Sequence, residues 1–222
     1  MPHPSREIFI FRHGETDWNR EGRFQGHVDI PLNDHGRAQA EALAEKLSPH
    51  GLEAILSSDL SRARETAEIV ARRTRIPVFT DVGLREAHLG GAQGLTVEEI
   101  KRVHGAEVLE RWKSVAVSDA DVRYPGGETG AEVIERVFAS LEKFIATTSY
   151  LRFGVACHGG VIRRVMQNII PQSDAEPQKR VLIPNGVVYK ILWEAKTGWN
   201  VPSLEPLGSV HDTVGKSIHT VV

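Results

Sequence analysis

The sequence predicts an α/β fold of three layers, with helices on both faces of a central sheet that is mostly parallel and mixed at its edge. Short apolar runs alternate with amphipathic segments along the chain, and the connections between them are short. The apolar runs also end in polar or glycine-rich corners, as parallel strands do at the carboxyl edge where ligands collect.

The first element is "IFIF" (8–11), read as a buried strand because its apolar run is unbroken. Asn33 and Asp34 then offer helix caps, and Ala38, Ala42, Leu43 and Leu47 among Glu and Lys residues describe an amphipathic helix. "AIL" (54–56) is the second strand. A helix follows "SSD", with Leu60, Ala63, Ala67 and Val70 on one face, and a short strand around Val78 precedes the loop "LREAHLGGAQG" (84–94). Ile134, Val137, Phe138, Leu141 and Ile145 mark a third helix, "FGVAC" (153–157) a further buried strand, 161–169 a fourth helix and "VVYKILWE" (187–194) a final strand. The stretch 200–222 has no periodic pattern and reads as a tail. A chain of 222 residues, 41% hydrophobic and 25% charged, suits a single domain over 1–222.

A formal net charge of -2 provides no basic field for a nucleic-acid backbone or an acidic membrane. The single cysteine, Cys157, forms no intramolecular disulfide, the N-terminus has no leader pattern, and no apolar run approaches a membrane span. The expectation is a cytoplasmic protein.

Four groups of polar residues follow strands. Arg12 and His13 come after "IFIF", Arg62 falls in the first turn of the helix after "AILSSDLS", His158 opens the "HGG" corner after "FGVAC", and Glu86 sits in the glycine-rich loop. If the topology brings them to one edge, two arginines, two histidines and a carboxylate converge, a set that calls for an anionic ligand. Phosphate fits, because guanidinium forks match phosphoryl oxygens and glycines let backbone N–H groups approach closely. A neutral imidazole there can act as a nucleophile toward phosphorus while the cations take up the developing charge.

The segments "RHGETDWNREGRFQGHVDIPLNDHGRAQA", "SSDLSRARETAEI", "LREAHLGGAQG" and "CHGGVIRRV" resemble, in order and spacing, those of the histidine phosphatase superfamily, in the branch of cofactor-dependent phosphoglycerate mutases and related phosphatases. The resemblance runs from Ile8 to about Tyr189 and implies a phosphoglycerate mutase-like fold. It implies that His13 becomes phosphorylated, that Arg12, Arg62 and His158 bind the phosphoryl group, and that Glu86 is the proton donor and later the base for water. Asn19, Gln25, Gly26 and the backbone of Gly159 would complete the phosphate pocket, with no metal and no cofactor.

The same resemblance points away from a mutase. Where mutases carry an arginine and then a tyrosine after the acid, this chain has Ala87 and Leu89, and its 95–125 segment, a lid-like stretch that sets specificity, is short and lacks an Arg-Arg pair. The reading is therefore a metal-independent phosphomonoester hydrolase, with a phosphoglycerate mutase as the alternative, and with Leu89 and Trp112 shaping substrate choice. The implied partner is a small-molecule phosphomonoester, with no nucleic acid, no membrane and at most a second copy of the chain.

Other residues are read as ordinary. His27, His35, His104, His211 and His219 lack metal-ligand spacing and are taken as surface residues, Cys157 as core packing, Trp18 as structural, and Arg163 and Arg164 as surface or packing groups. His88 is open between a pocket position and a plain loop position.

Overall fold

The computed structural model describes residues 5–114, 121–170 and 183–207. His211 and His219, most of the 200–222 tail and residues 115–120 of the lid-like segment lie outside the described residues.

The chain opens with β1 (Arg6–Arg12), where Ile8 and Ile10 point to one face and Phe9 and Phe11 to the other. All four are buried, which explains why the sequence shows no polar alternation. After the single-turn α1 (Asp17–Arg20) comes α2 (Asp34–Leu47), capped by Asn33, whose side chain accepts the N–H of Gly36. The buried face of α2 is Gly36, Ala40, Leu43, Ala44 and Leu47, so Ala38 and Ala42 are exposed, against the expected face. Small residues there let the helix press on the preceding loop. A Cβ on Gly36 would lie 2.1 Å from the Glu15 carbonyl oxygen, and one on Gly14 2.2 Å from that of Gly36.

β2 (Ala54–Ser57), α3 (Ser61–Thr74) and β3 (Val78–Thr80) follow, then α4 (Val97–His104), α5 (Ala106–Lys113) and α6 (Gly130–Thr147). β4 (Arg152–Cys157), α7 (Gly159–Ile169), β5 (Val188–Glu194) and β6 (Gly198–Asn200) complete the described elements. The six strands form one sheet in the order β3-β2-β4-β1-β5-β6. The first four run parallel, and β5 and β6 are antiparallel additions at one edge, so the mixed-edge expectation holds.

One face is covered by α2 and α3, which bury Leu43, Leu47, Ala67 and Val70 against Phe9, Phe11 and Ile55. On the other face Val133, Val137 and Leu141 of α6 and Val161, Ile162 and Val165 of α7 pack on Ile8, Ile10, Leu56 and Val155. Each apolar side chain so buried stabilises the fold by about 1.5–3 kcal/mol. Leu109 and Trp112 of α5 join this second core, which anchors that part of the lid-like segment. The beginning of the tail is also ordered, since Asn200 ends β6 and the N–H of Leu207 donates to the carbonyl of Val188. No helix among the described residues is long and apolar enough to cross a membrane.

The register sets the site. Arg12 pairs with Cys157, and Ser57 with Ala156, so β1, β2 and β4 end level. The ladder continues one step, with His13 N–H donating to Cys157 and Ser58 N–H to Ala156. His13 and His158 therefore leave neighbouring strands side by side.

Candidate active site

His13 is 2% exposed, and its Nδ1 lies 2.7 Å from the carbonyl oxygen of Gly14. A carbonyl only accepts, so Nδ1 carries the proton and the Nε2 of the neutral ring keeps its lone pair. Burial, and then the charges of Arg62 and Arg12, hold its pKa well below the ordinary histidine value despite the Gly14 bond. Burial beside two guanidiniums favours the neutral ring.

Arg62 sits in the first turn of α3, whose N-terminus is held by Asp29 accepting from the N–H and hydroxyl of Ser61. Arg62 is fully buried and donates to the carbonyls of Val28 and Gly26 at 2.9 and 2.8 Å. Arg12, at the end of β1, donates to the Ile183 carbonyl at 2.6 Å. The Nε–H of each has no acceptor among the described residues. Burial brings both guanidiniums down to about 10, with Glu86 opposing, so both stay charged at neutral pH. Two buried cations with unspent donors, facing one carboxylate, form an anion site.

Glu86 follows a loop tied to the sheet edge by the Arg85–Asp59 ion pair. Its Oε2 accepts the N–H of Gly160 and its Oε1 that of Ala87, both at 2.9 Å. Gly160 is the second residue of α7, whose N-cap His158 makes no side-chain cap bond, so the carboxylate satisfies one of the helix's open N–H groups. Behind it, Arg136 of α6 donates to the carbonyls of Gly83, Arg85 and Glu86 and pairs with Glu128, which fixes the loop.

His158 is fully buried, with its ring centroid 5.2 Å from that of His13. Its Nε2 bonds Ser58 Oγ at 2.9 Å, and its Nδ1 has no partner among the described residues. Burial, then Arg62, His13 and Arg12, lower its pKa well below the usual value.

Arg12, His13, Asn19, Gln25, Gly26, Arg62 and Glu86 line one cleft, so seven of the nine expected site residues meet there. Asn19 is held by a capping box with Thr16, which occupies its carbonyl oxygen. Gly159 instead lies against the Arg12 guanidinium, where a Cβ would come within 3.3 Å, and Gly160 supplies the backbone that reaches the cleft. Leu89 and Trp112 line the outer wall as expected, with Phe24 and Arg23, which the sequence did not single out.

His27 is not a plain surface residue. It is half-buried, donates from Nε2 to the Glu86 carbonyl at 2.8 Å, and meets the His88 ring edge-on at 4.8 Å. His88 thereby packs beside the cleft rather than lining it. His35 is exposed, and His104 is partly buried against Tyr124. Arg164 is a packing residue, its guanidinium 4.3 Å from the Trp112 ring centroid. Cys157 is fully buried and its thiol pushed far up by burial, which makes it a poor nucleophile. Among the described residues, no group of three His, Cys, Asp or Glu could hold a metal ion.

The family model of the histidine phosphatase superfamily (branch 1) matches residues 8–204. The chain is 36% identical over 216 residues to phosphoglycerate mutase-like protein 4 of Arabidopsis thaliana, covering 94% of this chain and 91% of that one. It is 38% identical over 173 residues to a metal-independent phosphoserine phosphatase of Arabidopsis thaliana, covering 76% and 71%. The solved structure of mycobacterial glucosyl-3-phosphoglycerate phosphatase with VO3 superimposes with a TM-score of 0.69 at 30% identity, over 84% of this chain and 92% of that one. Taken with the four corners assembled at one sheet edge, these matches establish that the chain belongs to branch 1 of the histidine phosphatase superfamily and is an enzyme of its phosphoglycerate mutase-like type.

Proposed function

We propose that the protein hydrolyses phosphomonoesters without a metal, through a phosphohistidine on His13. The observation that carries this reading is the bond from His13 Nδ1 to the Gly14 carbonyl, which leaves Nε2 unprotonated beside Arg12 and Arg62.

In the first step the Nε2 lone pair attacks phosphorus, the N–P bond forms as the ester P–O bond breaks, and Glu86 gives its proton to the leaving oxygen. Arg12 and Arg62, charged at neutral pH, hold the phosphoryl oxygens, and His158 offers the Nδ1 that no other described residue uses. In the second step the Glu86 carboxylate takes a proton from water as its oxygen attacks phosphorus. The N–P bond breaks, and orthophosphate leaves with the ring of His13 again neutral.

The outer cleft favours hydrolysis over isomerisation. A mutase has to hold a substrate with a second anionic group while it reorients, which calls for further cations. Among the described residues the outer wall is Phe24, Leu89 and Trp112, and the one cation that lines it, Arg23, is already paired with Glu21 at 2.8 Å and Glu99 at 3.3 Å.

Rapid quenching of turnover with a phosphorus-labelled aryl phosphate tests the mechanism. The expected result is an acid-labile phosphoryl adduct on His13, formed equally with and without chelator and suppressed by vanadate. Absence of the adduct, or loss of activity on chelation, overturns the proposal. Phosphoglycerate isomerisation that is faster than phosphate release and requires bisphosphoglycerate priming would replace it with the mutase reading.

A further inference from the structure

The loop Ile183, Pro184, Asn185, Gly186 and Val187 belongs to none of the four segments that carry the site, yet it is fastened to the end of β1 throughout. Arg12 donates its backbone N–H to Val187 and its guanidinium to Ile183, and the N–H of Gly186 donates back to the Arg12 carbonyl. At the centre of the loop is Asn185. Its side-chain NH2 lies 3.0 Å from the carbonyl oxygen of His13, 3.2 Å from that of Gly14 and 3.3 Å from Oδ1 of Asn19.

The Gly14 carbonyl is the group that makes Nδ1 of His13 the protonated nitrogen. A glycine peptide is free to rotate, and a rotation that turned this oxygen away would release Nδ1 and let the proton move to Nε2, removing the nucleophile's lone pair. Two restraints oppose the rotation. The N–H of Glu15, which shares a peptide plane with the Gly14 carbonyl, donates to Gln39 Oε1 at 2.8 Å and holds the amide side, and the Asn185 amide bridges the two successive carbonyls. An amide donor is required, because three acceptor oxygens converge on that point and a carboxylate there would face only acceptors.

We infer that Asn185 is a positioning residue that sets the tautomer of His13 by holding the Gly14 carbonyl, and so directs phosphorylation to Nε2 rather than Nδ1. The inference rests on the phosphohistidine reading for its consequence but not for its physical basis, which is a property of the free enzyme. In catalysis it governs which nitrogen forms the N–P bond; the ester bond broken and the proton from Glu86 are unchanged.

The test combines two measurements on the whole chain. Nitrogen-15 NMR of the unliganded enzyme, labelled at histidine, reports the His13 tautomer, and analysis of the trapped adduct reports which ring nitrogen holds phosphorus. In the wild type the Nδ1–H form and the Nε2 adduct are expected. In Asn185→Ser, the mild variant, and Asn185→Asp, which is isosteric but has no donor, a mixed tautomer population is expected. Their kcat should fall on the order of tenfold, the equivalent of one net hydrogen bond, with KM little changed.

A wild-type Nε2–H tautomer overturns the inference directly and needs no folded variant. Folded variants with a wild-type tautomer spectrum overturn it too, even where their kcat falls, because a merely structural loop would lower activity without moving the proton. A wild type that shows the Nδ1–H form but never yields an adduct would sink the phosphohistidine reading and leave the role of Asn185 standing.

Discussion

Gly160 donates its backbone N–H to Oε2 of Glu86 at 2.9 Å, and a Cβ placed on Gly160 would lie 2.5 Å from Oε1 of the same carboxylate. The first turn of α7 thus both holds the proton-transfer group and has no space beside it. Gly160→Ala is expected to displace the flexible end of Glu86 rather than the helix. Alanine is the better helix former by up to ~1 kcal/mol, so the melting temperature should hold or rise. The rate should fall by on the order of tenfold or more. Steady-state kinetics and thermal denaturation of one preparation check both, and an unchanged kcat would show that the contact does not place the carboxylate for proton transfer.

Glu86→Gln keeps the shape but removes the exchangeable proton. Esters with good leaving groups should still transfer their phosphoryl group, because those need little protonation, while alkyl phosphates lose turnover. Dephosphorylation should slow for every substrate, so a labelled adduct should accumulate. Equal loss with aryl and alkyl phosphates would argue against the carboxylate as proton donor.

Arg62 is fully buried, and its fork satisfies two carbonyls as well as facing the cleft. Arg62→Ala should lose on the order of 3 kcal/mol of transition-state stabilisation, about a hundredfold in rate. It also strands the carbonyls of Gly26 and Val28, which lowers the melting temperature. Arg62→Lys should recover little of either, since an ammonium cannot span both carbonyls and still donate to phosphate. Comparing kcat/KM across the three proteins tests this.

The pH dependence follows from buried histidines. His13, His158 and the half-buried His27 all have pKa values held below 6.5, each chiefly by burial. As the pH falls below about 6.5 the unfolded chain binds protons at these positions that the native chain does not, so stability decreases on acidification. Above that pH their effect is flat. The melting temperature should therefore drop between pH 6.5 and the carboxylate range, with proton uptake on unfolding measurable by calorimetry in buffers of different ionisation enthalpy. The acid limb of kcat/KM, corrected for the substrate's own ionisation, should lie below pH 6.5, because His13 is already neutral there. A limb at 6.5 or above would mean that the nucleophile titrates as a free histidine.

The sequence by itself determined five of the six described strands, the four major helices and the corner residues, because each is a local fact, while the short β6, α4 and α5 went unread. "IFIF" is apolar on both faces, Arg12, His13 and His158 stand at or just past the ends of apolar strands, Arg62 falls in the first turn of a helix whose period can be counted, and Glu86 lies in the glycine-rich loop after β3. It also determined that an anion site needs no net basic charge, only clustered arginines. What it could not supply were relationships between distant positions. The burial that neutralises His13 is one, and the use of Glu86 as a cap for α7, the brace from Arg136 and the bridge from Asn185 join residues from 50 to 172 positions apart. His27 was misjudged for the same reason, since its partner is a carbonyl 59 residues away. Local periodicity fixes which side chains face a layer, but protonation state and tautomer depend on the dielectric and the donors met after the sheet has ordered its strands. That order, β4 between β1 and β2, places His158 beside His13, and only the tertiary structure decided it.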